Sequence, residues 1–65
     1  MKWTAMLDNG AYVTVETKQR GRDWEVSVPE WKMTCWVTRV EDEMAAVARA
    51  IGRNSARRLV SMITP

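Results

Sequence analysis

The sequence contains no histidine and one cysteine among its 65 residues. Without histidine, the chain cannot carry a serine–histidine or cysteine–histidine nucleophile, and most zinc arrangements are excluded. A single cysteine cannot form an internal disulfide, which fits a reducing compartment. Cys35 is expected to be either a small buried apolar side chain, the commoner case, or a reactive thiol. We therefore predict a non-enzymatic protein that needs neither a cofactor nor a metal.

The sequence also lacks long apolar runs. No segment approaches the roughly 20 apolar residues that span a bilayer, and residues 1–10 hold no signal-peptide core. The expected location is therefore the cytoplasm, with no membrane partner. Residues 1–65 are expected to form one domain, and a domain of this size buries only about 60% of its unfolded surface. Any spare apolar surface is then expected to be used in pairing with another chain.

Alternating apolar and polar residues predict a small antiparallel sheet of three to four strands, so the expected fold class is α+β. Strands are expected at residues 3–7 and 12–17, joined by a tight turn at an Asn-Gly pair. The clearest strand is "WEVSV", which Pro29 should end because proline has no N–H for the ladder. A fourth short strand is predicted at residues 34–38.

A capping-box pattern predicts a helix packed on one face of this sheet. Thr38 and Glu41 have the spacing at which each side chain satisfies an orphan backbone N–H, so the helix should begin near residue 39 or 40. At about 100° per residue, Ala46 falls on the solvent side. The stripe expected to face the sheet consists of Met44, Val47, Ala48 and Ile51. The acidic residues 41–43 should complement the helix dipole rather than hold a metal ion.

Beyond residue 52 the apolar stripe turns by about 120° around a helix. Gly52 weakens a helix, so we predict a break there and a second short helical segment capped by Asn54 or Ser55. An unbroken helix with two apolar faces is the alternative. The surface expected to hold a homodimer, a higher homo-oligomer or a protein partner consists of Leu59, Val60 and Ile63.

Two further sets of side chains are candidates for binding. Trp31, Met33 and Trp36 are predicted to contact a protein partner, since tryptophan is a frequent interface anchor. Trp31 lies in a connection and is either a lid over the core or an exposed anchor. The basic candidates are Arg49, Arg53, Arg57 and Arg58. These arginines could grip phosphates, steer an acidic protein surface, or lie on the solvated end of a helix.

Two stretches of the chain resemble the HicB-type antitoxin family. "WEVSVPEW…TCWVT" is similar to the family's strand ending in Val-Pro-Asp, followed by a short turn and a Gly-Cys pair. "EDEMAAVARAI" is similar to its Glu- and Ala-rich helix ending in Ala-Ile. The matching positions are Val26, Val28, Pro29, Glu30, Cys35, Glu41, Asp42, Ala45, Ala48, Ala50 and Ile51. The resemblance spans residues 12–51 and departs from the family at residues 32–34, where Leu-Pro-Gly is expected.

The resemblance implies a fold like that of double-stranded-RNA-binding domains, in a protein that dimerises and masks a small ribonuclease toxin. Family members often carry a DNA-binding segment after the helix, and residues 54–65 are too few for one. The leading hypothesis is a HicB-like antitoxin or inhibitor that binds a toxin or host factor by stoichiometric contact, with a phage or mobile element as one conceivable source. The alternative is a small basic nucleic-acid-binding module that works through the four arginines.

Overall fold

The computed structural model describes residues 1–63 as a five-stranded antiparallel sheet with one α-helix on one face. The strand order is β4-β3-β2-β1-β5. The elements in chain order are β1 (Lys2–Leu7), β2 (Tyr12–Arg20), β3 (Asp23–Val28), a 3-10 turn (Pro29–Trp31), β4 (Met33–Val37), α1 (Glu43–Asn54) and β5 (Leu59–Ile63). The predicted α+β class is confirmed, but the sheet has five strands where three to four were predicted.

The first four strands follow one another as a meander, because tight turns join neighbours in the chain. Gly10 and Gly21 lie in the first two turns with φ of 83° and 64°, a left-handed conformation that glycine adopts without strain. The alternation seen in the sequence sets which side chains face α1. Among the strand residues, those buried beneath the helix are Ala5, Leu7, Val13, Val15, Thr17, Val26, Val28 and Val37.

Pro29 ends β3, as predicted, and the side chain of the next residue, Glu30, supplies a hydrogen bond at the end of the ladder. β3 ends before it reaches Thr14 of β2, so Thr14 has no partner residue on that strand. Its N–H donates instead to Glu30 Oε2 at 2.7 Å. This hydrogen bond holds the pKa of the Glu30 carboxyl below its usual range. The carboxylate therefore takes the place that a strand carbonyl would have occupied.

The helix begins later than the capping box at Thr38 predicts, so that prediction is wrong. Asp42 is the N-cap, and its Oδ1 accepts a hydrogen bond from Ala45 N–H at 2.8 Å. Arg39 has a φ of 58°, which a helix starting at this residue would not allow. The chain must first turn away from β4, and the aspartate at the end of that turn supplies the cap.

The helix face that meets the sheet is also rotated from the predicted stripe. Val47 and Ile51 are buried as predicted, whereas Met44 and Ala48 are exposed. The other two buried residues of α1 are Ala46 and Ala50. Two alanines on this face let the helix approach the valine-rich sheet closely, and the longer Met44 lies at its margin.

The segment after α1 is a strand, so both the second helix and the unbroken helix are wrong. α1 continues through Gly52 to Asn54, and the Asn54 and Ser55 side chains donate to the carbonyls of Ala50 and Ile51 at 2.8 and 2.9 Å. β5 then pairs with β1 in antiparallel fashion, after one register shift. A short apolar segment is consistent with a strand as well as with a helix, because it is too short for its period to distinguish the two.

Two alanine-to-leucine substitutions, one on each side of α1, test which face of the helix meets the sheet. Ala46→Leu should lower the free energy of unfolding by about 1–3 kcal/mol, because the larger side chain overpacks a buried site. Ala48→Leu, on the exposed side, should change it by no more than about 0.5 kcal/mol. Urea denaturation followed by circular dichroism measures both, and a larger loss at position 48 would contradict the orientation of α1.

The Glu30 hydrogen bond predicts a component of acid sensitivity. Because the folded pKa is lowered, its stabilisation is complete above the unfolded pKa of about 4.5 and is lost as the pH falls through the folded pKa. Glu30→Gln keeps an acceptor that does not titrate. The loss of unfolding free energy between pH 7 and pH 3 should therefore be smaller in this variant than in the unchanged chain, and equal losses would refute the assignment.

Candidate protein-binding surfaces

The sheet face opposite α1, called here the uncovered face, is the largest candidate surface. α1 is the one α-helix of residues 1–63, and it lies on the other side of the sheet. A two-layer domain buries one sheet face and leaves the second to solvent or to a partner. The larger apolar side chains on this face are Met6, Tyr12, Trp36 and Ile63.

One half of the uncovered face carries no charged side chain. Met6 is the cross-strand neighbour of Tyr12 on one side and of Ser61 on the other. Beside them, Thr4 is the neighbour of Ile63. Tyr12 is 59% exposed and Ile63 is 49% exposed. We call these five residues the apolar patch; the register places them side by side on β2, β1 and β5.

The other half of the uncovered face is charged, with acids and bases interleaved. Arg20 lies 3.5 Å from Glu25 in an ion pair, and Trp36 donates its indole N–H to Asp23 at 3.2 Å. The strand positions on this half hold three bases and three acids: Lys2, Lys18, Arg20, Glu16, Asp23 and Glu25. The charges therefore balance, so this half is not a basic surface.

The structure separates the three residues predicted for partner contact. Trp31 and Met33 are partly buried and pack against the core of this chain, on the same side of the sheet as α1. Of the two alternatives for Trp31, a lid over the core describes its position better than an exposed anchor. Trp36 lies on the opposite face, 51% exposed, because neighbouring residues of a strand face opposite sides of the sheet. Of the three, Trp36 is the residue that remains free to meet a partner.

The four arginines do not form one stripe. Arg49 donates to the carbonyl of Thr38 at 3.1 Å, and Arg53 Nη1 lies 3.9 Å from Cys35 Sγ, so both reach toward β4. Arg57 and Arg58 lie in the segment between α1 and β5, at the other edge of the sheet.

Cys35 is partly buried against the core, between the two alternatives considered for it. Arg53 Nη1 lies 3.9 Å from its Sγ.

The predicted oligomer surface lies on edge strand β5. Val60 and Ile63 are 50% and 49% exposed, whereas Leu59 packs partly against the core. The register shift between the partners of Met6 and Leu7 places Val60 in a bulge. The segment is therefore not a separable tail, because its removal would take a strand from the sheet.

Sequence reasoning missed Met6 and Tyr12 as surface residues and Glu43 as an anchor of the helix. Glu43 Oε2 accepts the indole N–H of Trp3 at 2.9 Å and also the hydroxyl of the buried Thr17. This carboxylate fastens the first turn of α1 to β1 and β2. Tyr12 and Met6 could have been found from the hairpin, because residues paired across a tight turn share a face.

Comparisons with known proteins do not assign the chain to a class: no protein-family model, no curated protein and no solved structure matches it. Within residues 1–63, no helix has the length and apolar character needed to cross a bilayer. The same residues include no group of three or more potential ligand side chains placed to hold a metal ion.

Two tryptophan substitutions test the placement of the predicted contact residues. Trp31→Ala should lower the free energy of unfolding by about 1–3 kcal/mol, because it uncovers part of the core. Trp36→Ala should cost less than about 1 kcal/mol, since its ring is half exposed. Chemical denaturation compares the two variants. Equal losses would mean that Trp31 does not cover the core.

Proposed function

We propose that the chain is a small protein-binding module, without catalytic activity, which acts by stoichiometric contact with a protein partner. The observation that supports this best is the apolar patch on the uncovered face. Tyr12 and Ile63 expose about half of their surfaces there, with no charged side chain between them. Exposed aromatic and aliphatic side chains grouped on one surface are typical of protein interfaces.

Trp36 extends this proposed surface across the sheet. Its ring is held by the hydrogen bond to Asp23, so little rotamer freedom would be lost when a partner covers it. Glu25 and Lys18 adjoin Trp36 in the register, and Glu16 and Lys2 form the next row toward the apolar patch. A polar region beside apolar anchors can set the orientation of a bound protein.

The charge distribution favours a protein partner over a nucleic acid. Binding to phosphates requires several bases on one surface, and the uncovered face has as many acids as bases. Arg49 and Arg53 lie toward β4, whereas Arg57 and Arg58 lie beside β5. The arginines therefore supply two separate small basic areas rather than one electrostatic track.

Within this proposal, the partner is a toxin or a host factor that the module inhibits by covering it. The resemblance of residues 12–51 to HicB-type antitoxins supports the inhibitor role, and the cytoplasm is the compartment in which we expect it to act. The structure leaves one face of the sheet for such a contact. That the chain comes from a phage or a mobile element is a hypothesis made together with this inhibitor role.

Affinity capture from the native host with matched bait variants tests the proposal. The unchanged chain should recover a protein partner in fixed stoichiometry, and Tyr12→Lys should weaken the purified complex at least about tenfold, because it places a charge in the apolar patch. Ala48→Lys, on the exposed side of α1, is the control and should bind as the unchanged chain does. Equal binding by all three would exclude the uncovered face as the contact.

A salt titration against duplex DNA and RNA tests the alternative. We expect no measurable complex at low salt. Binding that weakens steeply as salt rises, with a slope reduced by about one when Arg49 or Arg57 is replaced by alanine, would support the nucleic-acid-binding module instead.

A further inference from the structure

We infer that β5 pairs with β5 of a second copy of this chain, in antiparallel orientation, so that two sheets join into one of ten strands. β5 is an edge strand in the sheet order, next to β1 on one side only. This inference stands on the edge itself and does not depend on what binds the uncovered face.

Backbone groups at this edge are directed outward. The N–H of Leu7 donates to the carbonyl of Ala11, across the hairpin toward β2. Successive residues of a strand direct their backbone groups to opposite sides, so Met6 points toward β5 and its partner Ser61 points back. Met62, the next residue, therefore directs its N–H and C=O away from β1. No further strand lies there among residues 1–63.

The two edges of the sheet differ in how they are protected. β4 has positively charged residues in left-handed conformations at both ends, Lys32 with φ 51° and Arg39 with φ 58°. Arg49 and Arg53 also reach from α1 to the backbone and side chains beside β4. Charges and turned ends of this kind prevent the addition of another strand. β5, with the sequence LVSMI, holds neither a charge nor a proline. The bulge at Val60 protects only the start of this strand, and residues 61–63 beyond it pair regularly with β1.

Apolar side chains flank β5 on both faces of the sheet. Ile63 belongs to the apolar patch, and Val60 is 50% exposed in the bulge. On the helix side, Met62 and the 48% exposed Met44 line a groove of about 310 Å³, together with Trp3. A second sheet added at this edge would cover part of each of these three exposed side chains, which is the hydrophobic gain that strand pairing alone lacks.

Charge complementarity selects a second copy as the occupant of this edge. Arg57 and Arg58 precede β5, whereas Asp42 and Glu43 line the groove beside Met62 near its end. Antiparallel pairing places the start of each strand beside the end of the other. The basic pair of each copy then comes next to the acidic pair of its partner, twice across the two-fold axis.

Sedimentation equilibrium of the purified full chain over about 5–500 µM tests the inference. We expect a monomer–dimer equilibrium that weakens as salt rises, because ion pairs contribute to it. Val60→Lys should raise the dissociation constant at least about tenfold, since it charges an exposed edge position without touching the core. Thr34→Lys places the same side chain on the exposed side of the opposite edge strand and should leave dimerisation unchanged.

Three results would overturn the inference: a monomer throughout the concentration range, a dimer that Thr34→Lys weakens more than Val60→Lys, or open-ended assemblies larger than a dimer. Circular dichroism of each variant verifies that it is folded.

Hydrogen exchange of the unchanged chain provides a second measurement. The Met62 amide should become protected as the concentration rises, and protection independent of concentration would contradict pairing at this edge.

Discussion

The structure depends on the packing of one helix against one face of a five-stranded sheet. Val47 and Ile51 of α1 pack with the valines of that face in one buried cluster. The helix covers this face and leaves the opposite face of the sheet uncovered. The same packing leaves the opposite face of the sheet and the outer edge of β5 uncovered, and the two proposals concern these two surfaces.

Polar contacts hold the helix at one end of this layer. The Glu43 carboxylate accepts hydrogen bonds from Trp3 and from Thr17, so the first turn of α1 cannot slide along the sheet without breaking both of them. Met44 and Met62 remain beside this contact as an apolar groove at the sheet edge. The features that fix the helix thus also shape the surface next to β5.

The sequence allowed the hairpin strands to be predicted because their signals are local. Alternation in "WEVSV", the stop at Pro29 and the outward direction of Trp36 all follow from a few neighbouring residues. β5 could not be recognised in this way, because its partner β1 lies at the other end of the chain and a five-residue apolar segment has no period of its own. The rotation of α1 could not be predicted, for a similar reason. Local periodicity indicates an apolar stripe, whereas the buried Ala46 is selected by close approach to the sheet.

The pairing of β5 with β1 is the claim on which both surfaces rest, and nuclear Overhauser spectroscopy tests it most directly. Ala5 and Met62 face each other at a position without hydrogen bonds between them, where Cα atoms lie about 4.5 Å apart. We predict a strong cross-peak between their Hα protons in the full chain. Its absence, together with contacts between residues three apart along 55–63, would show a helix in place of β5 and would contradict the account.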